Sequence, residues 1–176
     1  MKKYLKLVFA LTAVAAVLSG QVAHSIFVDS ADHASTATTS QQTLSSVAIG
    51  PGGSFTSPFY GQVGNWTKIT LRGEQASNGN VLSVTLGTTA LTIFEGQTLG
   101  TGTRFTIECD VFITGTNAEK ITCTSGLGQN QAGPYVDDDV ATESTTSAVT
   151  IAVKASTNGS TGDITLKSFT VVAMNY

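Results

Sequence analysis

The chain is poor in the residues on which most site chemistry is built. Two Cys, two His and one Trp among 176 residues leave almost nothing for a His triad, a four-ligand zinc site or haem ligation. Charge is scarce too: 9 Lys and Arg against 12 Asp and Glu give a formal charge of −3, and only 12% of residues are charged. Such a balance carries no electrostatic footprint for nucleic acid or for an anionic membrane surface. Proline occurs three times, so extended segments run largely uninterrupted. What fills the chain is Thr, Ser, Gly, Val and Ile, which favour strands and turns over helices. The composition is that of an extracellular-type β protein.

One long apolar run exists, at the start. Lys2, Lys3 and Lys6 precede Leu7 to Leu18, apolar apart from Thr12, and Gly20 and Ala23-His24-Ser25 follow as small-residue cleavage sites. A basic n-region, a roughly 12-residue h-region and a small-residue c-region make a secretory signal peptide of residues 1–25. The mature chain is then expected to begin between Gln21 and Ile26, and its location to be extracellular. The run is shorter than the about 20 residues of a spanning helix, so no stable membrane span is expected. The alternative use of the segment is as an uncleaved apolar anchor. Cleavage removes His24 and leaves His33 as the sole imidazole, in a polar stretch ill suited to holding a general acid or base rigidly.

Residues 26–43 are almost wholly small and polar beyond Val28 and are expected to form an arm or linker, with Ile26-Phe27-Val28 able to add as a strand to a neighbouring subunit. Over 44–176 the period becomes two. Strands are expected at 44–49, 66–72, 82–86, 91–93, 105–113, 120–124, 148–154 and 163–174, with a loop at about 126–145 carrying Asp137-Asp138-Asp139. Around eight strands with turns at Gly50-Pro51-Gly52-Gly53, Asn78-Gly79 and Asn158-Gly159 make an all-β antiparallel sandwich or jelly roll. The last strand changes phase: Ile164 and Leu166 share one face, Phe169 and Val171 the other. Either a bulge near Lys167-Ser168 resets the register or both faces are covered, as in an oligomer, and the second option predicts self-association.

The order of motifs resembles that of small TNF-like or head-fibre-like jelly rolls encoded by tailed phages. Leu82-Ser83-Val84-Thr85-Leu86-Gly87-Thr88-Thr89-Ala90-Leu91-Thr92-Ile93-Phe94 is similar to their alternating strand, Gly, Thr-Thr and short strand. The hairpin Phe105 to Thr124 with Thr114-Gly115-Thr116 at its tip, and the ending Gly162-Asp163-Ile164-Thr165-Leu166, resemble further elements of the same family. The likeness covers about residues 40–176 and implies trimeric virion components that decorate a capsid or tip an appendage. A signal segment is a departure from that pattern.

Cys109 and Cys123 are the most informative pair. A turn through Gly115-Thr116-Asn117 sets Cys109 directly opposite Cys123 and Val111 opposite Ile121, with Ile107, Cys109, Val111 and Ile113 on one face. Opposed Cα atoms stand about 4.5 to 5.5 Å apart, within disulfide reach. Export would supply the oxidising compartment; in a cytoplasm the two would be buried thiols.

Other constellations carry less. Asp137 to Asp139 lack the spacing of a calcium loop, and Glu108 and Asp110 share the wet face of a hairpin. Gly50 to Gly53 lacks the Lys-Ser/Thr of a phosphate loop. Asn65-Trp66-Thr67 and Asn158-Gly159-Ser160 match the glycosylation acceptor. Trp66 alternates with Lys68 and Arg72 on one face, a candidate contact for carbohydrate or for a protein partner. No catalytic, cofactor or metal residues are expected. The expected function is that of a non-enzymatic jelly roll acting by self-assembly and attachment, as a virion decoration or fibre-head subunit bound to capsid or tail. A secreted bacterial surface or matrix protein, filament-forming or carbohydrate-binding, is the competing class.

Overall fold

The computed structural model describes residues 23–53, 63–76, 80–95, 103–127, 135–157 and 160–174. Among them the regular structure is eleven strands: β1 (Ala23–Asp29), β2 (His33–Ala34), β3 (Gln42–Ile49), β4 (Trp66–Gln75), β5 (Val81–Leu86), β6 (Thr89–Glu95), β7 (Thr103–Gly115), β8 (Ala118–Leu127), β9 (Tyr135–Ala141), β10 (Val149–Ser156) and β11 (Ile164–Met174). The larger sheet runs β1-β11-β4-β7-β8-β9, with β2 also on β11, and the smaller runs β3-β10-β5-β6. All pairings are antiparallel. The chain changes sheet at β2–β3, β3–β4, β4–β5, β6–β7, β9–β10 and β10–β11, and stays within a sheet at β1–β2, β5–β6, β7–β8 and β8–β9. Repeated crossing between two antiparallel sheets makes the fold an all-β sandwich, the architecture to which jelly rolls belong.

Alternation builds the core. Along β7, Phe105, Ile107, Cys109, Val111 and Ile113 are buried while the residues between them are half-buried or exposed. Leu82, Val84 and Leu86 on β5 and Val149, Ile151 and Val153 on β10 close the core from the other sheet. The edge strand β6 lies against β9, so the two layers approach each other along that side.

The structure settles one open choice and differs from two expectations. The open choice is the last strand. Register shifts between Leu166 and Ser168, so Lys167 sits in a bulge, and Ile164, Leu166, Phe169 and Val171 are all fully buried on the inner face. The bulge alternative therefore accounts for the phase switch, which no longer supplies a reason for self-association.

The first expectation is the polar arm. Residues 26–43 hold most of β1, all of β2 and the start of β3. Phe27 packs edge-on against Phe169 at 5.5 Å, and β1 adds to β11 of its own chain rather than to a neighbour. Ser35 N–H donates to the Ile164 carbonyl at 2.8 Å while its hydroxyl accepts from Ile164 N–H at 3.0 Å. Hydrogen bonds of small polar residues thus hold a segment that has no apolar period.

The second is the acidic run, which lies on β9 rather than in a loop, with Asp138 and Asp139 exposed on an edge strand. Charge there discourages edge-to-edge pairing with another chain. β1, β2 and β9 make up the difference between eight expected strands and eleven.

Residues 1–22 lie outside the described residues, and the signal-peptide expectation with them. A cut before Ala23 keeps β1 whole, whereas one before Ile26 removes the pairings of Ala23 and Ser25 with β11.

Candidate functional site: polar clusters and the outer sheet face

The β7–β8 hairpin places Cys109 opposite Cys123, their Cα atoms 4.0 Å apart and their sulfurs joined. Both are at most 1% exposed, on the inner face beside Ile107, Val111 and Ile121. The register matches the expected one as far as Ile113, and the tip then tightens to a Gly115–Ala118 pair, with Asn117 at φ 52°. Asn tolerates that left-handed conformation better than most residues. The disulfide is structural: it staples a hairpin from inside the core and leaves no thiol for chemistry.

Trp66, Lys68 and Arg72 lie together on the outer face of β4, as the alternation predicts. Trp66 stacks on Phe112 of β7, with centroids 5.9 Å apart and planes 8° from parallel. Lys68 Nζ donates to Glu108 at 2.7 Å, which raises the Lys68 pKa. Asp110, opposite Lys68, has a raised pKa because burial penalises its charge more than the Lys68 ammonium compensates. Arg72 is exposed further along the same strand. The face is thus a β-sheet surface with a stacked aromatic pair at one end and charges of both signs beside it. Asn65 is 7% exposed, which withdraws the first glycosylation acceptor from an enzyme; Asn158 lies outside the described residues.

Sequence reasoning missed a second cluster. The Asp29 carboxylate, at the end of β1, accepts from Ser45 Oγ of β3 at 2.5 Å and pairs with His33 Nε2 of β2 at 2.8 Å; its other oxygen accepts from Ala31 N–H at 3.1 Å. The serine bond is the main cause of a lowered Asp29 pKa. Ser, His and Asp are the residue types of a hydrolase triad, yet the wiring is wrong for one. The imidazole must stand between hydroxyl and carboxylate to take the serine proton, and here hydroxyl and imidazole both bind the same carboxylate oxygen. The cluster instead ties β1 and β2 of one sheet to β3 of the other.

A third cluster closes the β9–β10 connection. Glu119, at the start of β8, is fully buried, and one of its oxygens accepts from Glu143 N–H at 3.0 Å. The Glu143 carboxylate accepts from Thr88 N–H at 2.6 Å and Thr88 Oγ1 at 2.8 Å, over the β5–β6 turn. Gly87 in that turn has φ 55°, and any Cβ there would collide with the Glu143 carboxyl. Burial, followed by the charge of Glu143, raises the Glu119 pKa. Asn117 Oδ1 accepts from Thr145 N–H at 3.3 Å, pinning the same connection to the β7–β8 tip.

Among the described residues no three His, Cys, Asp or Glu side chains converge as metal ligands, and no helix is long and apolar enough to cross a membrane. No family model and no curated protein matches the chain. A crystal structure of a protein of unknown function from Shewanella oneidensis MR-1 is similar at a TM-score of 0.37 and 11% identity, over 88% of this chain and 89% of that one.

Proposed function

We propose that the protein is a non-enzymatic jelly roll that works by self-assembly and surface attachment, as a phage virion decoration, head-fibre or fibre-head subunit. The outer face of the larger sheet, with Trp66 stacked on Phe112, is the observation that carries the reading: a stacked aromatic pair on a sheet face suits a contact surface. The polar clusters support it from the other side. Each has its nucleophile or carboxylate committed to a tie between strands or loops. The capsid or tail supplies the partner, and the motif resemblance over about residues 40–176 supports that assignment.

The second reading, a secreted bacterial surface or matrix protein, is favoured by the buried disulfide, the chemistry of an oxidising compartment. In that reading Trp66, Lys68 and Arg72 face carbohydrate or a neighbouring subunit. Fractionation separates the two. Antibody against the protein should label purified virions from the source strain by immunogold microscopy, and mass spectrometry should find it there with capsid proteins. Its presence only in the cell-surface fraction, with particles unlabelled, would reject the virion reading and favour the secreted one.

A further inference from the structure

Glu119 stands where the fold elsewhere places apolar side chains. It is 0% exposed, on the inner face of β8, in register with Ile113 of β7 and Ala141 of β9. Oε2 accepts from Glu143 N–H at 3.0 Å, whereas Oε1 is buried with no hydrogen-bond partner. An anion held there leaves charge without a donor, which is far more costly than holding the neutral acid. With the proton on Oε1, Oε2 remains a carbonyl acceptor for the Glu143 amide.

The titratable residues around it supply no base. The β9–β10 connection brings Glu143, and along β9 Asp139, Asp137 and Tyr135 stand at the register positions of Ile121, Cys123 and Ser125. The inner faces of β5, β7 and β10 are apolar, and the β5–β6 and β7–β8 turns carry Gly87, Thr88, Thr116 and Asn117. β6, which also packs on β8, has one acid, Glu95, at its end away from Thr88. Lys120, next in sequence, is exposed on the opposite face of β8. No three His, Cys, Asp or Glu side chains converge as metal ligands among the described residues, so the positive charge that fits this site is a proton. Glu143 differs: Thr88 N–H at 2.6 Å and Thr88 Oγ1 at 2.8 Å both donate to its carboxylate, which suits the anion. One carboxyl of the pair is thus built to be charged and the other to be neutral.

We propose that Glu119 is a proton-operated clasp: as the neutral acid it holds the 142–148 connection closed over the β5–β6 turn, and on giving its proton to water it releases that connection. Ionisation sets a second negative charge beside Glu143 with no base to offset it. Relief is available locally. The connection is fixed by Glu143 N–H on Glu119, by the Glu143 carboxylate on Thr88 and by Thr145 N–H on Asn117, while Thr142, Thr146, Ser147 and Ala148 are exposed. Swinging out admits water to Oε1 and bares Ala141 and Val149, both buried in the closed form, without breaking the β7–β8 ladder. The clasp is independent of the attachment reading, which stands or falls by its own test.

Two NMR measurements on the purified full chain test it. Carbon-13 shifts of the Glu119 carboxyl report its titration, and hydrogen exchange of the Glu143 and Thr145 amides, expressed as protection factors, reports the connection at the same pH values. From about pH 4 to about pH 8 both amides should lose protection at least about tenfold, in step with the Glu119 titration. The opening is local, so at the upper pH their exchange should be insensitive to dilute urea, while core amides of β4 and β7 remain sensitive. In Glu119→Gln, which keeps an acceptor and carries no charge, protection of the two amides should stay within about twofold across the range. The wild-type measurements decide the matter even where that variant does not fold. A Glu119 carboxyl that titrates at the ordinary 4.5 overturns the proposal. So does a Glu119 titration that leaves the two amides unchanged, or one in which they exchange only together with the core. A loss of protection in Glu119→Gln as large as in the wild type overturns it as well, by assigning the opening to another group.

Discussion

Breaking the Cys109–Cys123 bond should lower the melting temperature by about 6 to 12 °C. The bond joins positions 14 residues apart in the sequence, and the chain-entropy relation for a closed loop of that size gives about 3 kcal/mol at 25 °C. For a domain of about 150 residues each kcal/mol moves the midpoint by roughly 2 to 4 °C. The sign follows because the crosslink restricts the unfolded chain far more than the folded one, where the β7–β8 pairing already holds the two positions opposite each other. Both sulfurs are buried, so Cys109→Ala with Cys123→Ala removes packed atoms as well and should cost about 1 to 2 kcal/mol more than reduction alone.

The assay is differential scanning calorimetry at pH 7 on three samples: oxidised protein, protein reduced in denaturant and refolded with reductant, and the double alanine variant. The expected order of midpoints is oxidised, reduced, alanine. A reduced sample that melts within about 2 °C of the oxidised one would refute the loop-closure argument, because it would mean that the unfolded chain keeps the hairpin ends together without the bond.

Three further outcomes follow from the geometry. Gly73→Ala should destabilise by about 3 kcal/mol or unfold the protein, since a Cβ on β4 would run into the Phe105 ring and the Thr165 carbonyl; chemical denaturation of the variant measures it. Asp29→Asn should lose about 1.5 kcal/mol at pH 7 by weakening the bonds from Ser45 and His33. Because the folded pKa of Asp29 lies below the 3.8 of the unfolded chain, that contribution is present above 3.8 and lost as pH falls through the folded value, so urea titrations of wild type and variant should converge in acid. Glu119 has the opposite sign: its raised folded pKa makes its contribution full below 4.5 and lost as pH rises through the folded value. Glu119→Gln should therefore gain stability relative to wild type as pH rises from below 4.5 to neutrality, and a difference unchanged between acid and neutral pH would count against the buried carboxylate.

The β7–β8 hairpin was legible because two independent signals agree on one register: strict alternation from Phe105 to Ile113, and a Gly-Thr-Asn turn of the right length. Slipping by one residue would have turned every apolar side chain outward. The edges were not legible for the converse reason. β9 carries Val136, Asp137, Asp138 and Asp139 in a row, and an edge strand is the one place in a sheet where such charge is favourable, so the feature that protects it also hides its period. β1 offers three apolar residues and β2 spans only two residues, too few for any period to emerge. The phase switch in β11 was visible as a conflict between Leu166 and Phe169. Its resolution depends on Lys167, whose ammonium reaches Asp32 at 2.7 Å and Glu74 at 3.2 Å from the bulge.

The candidate site divides in the same way. Trp66, Lys68 and Arg72 were visible as a face because they lie on one strand at a period of two, whereas Phe112, which completes the aromatic pair, is 46 residues distant and meets Trp66 only through the β4–β7 pairing. Asp29, His33 and Ser45 lie close in sequence yet gave no signal, because what joins them is the approach of β1 and β2 in one sheet to β3 in the other. That same approach decides their chemistry. Hydroxyl and imidazole arrive from different sides at one carboxylate oxygen, so the serine proton is directed at an anion already shared with the ring, and the cluster holds the two layers together instead of activating a nucleophile. With Asp29, Ser45, Glu119 and Glu143 held in ties and both cysteines in a staple, the proposed attachment reading rests on the outer sheet face, where recognition depends on shape, apolar area and a few charges.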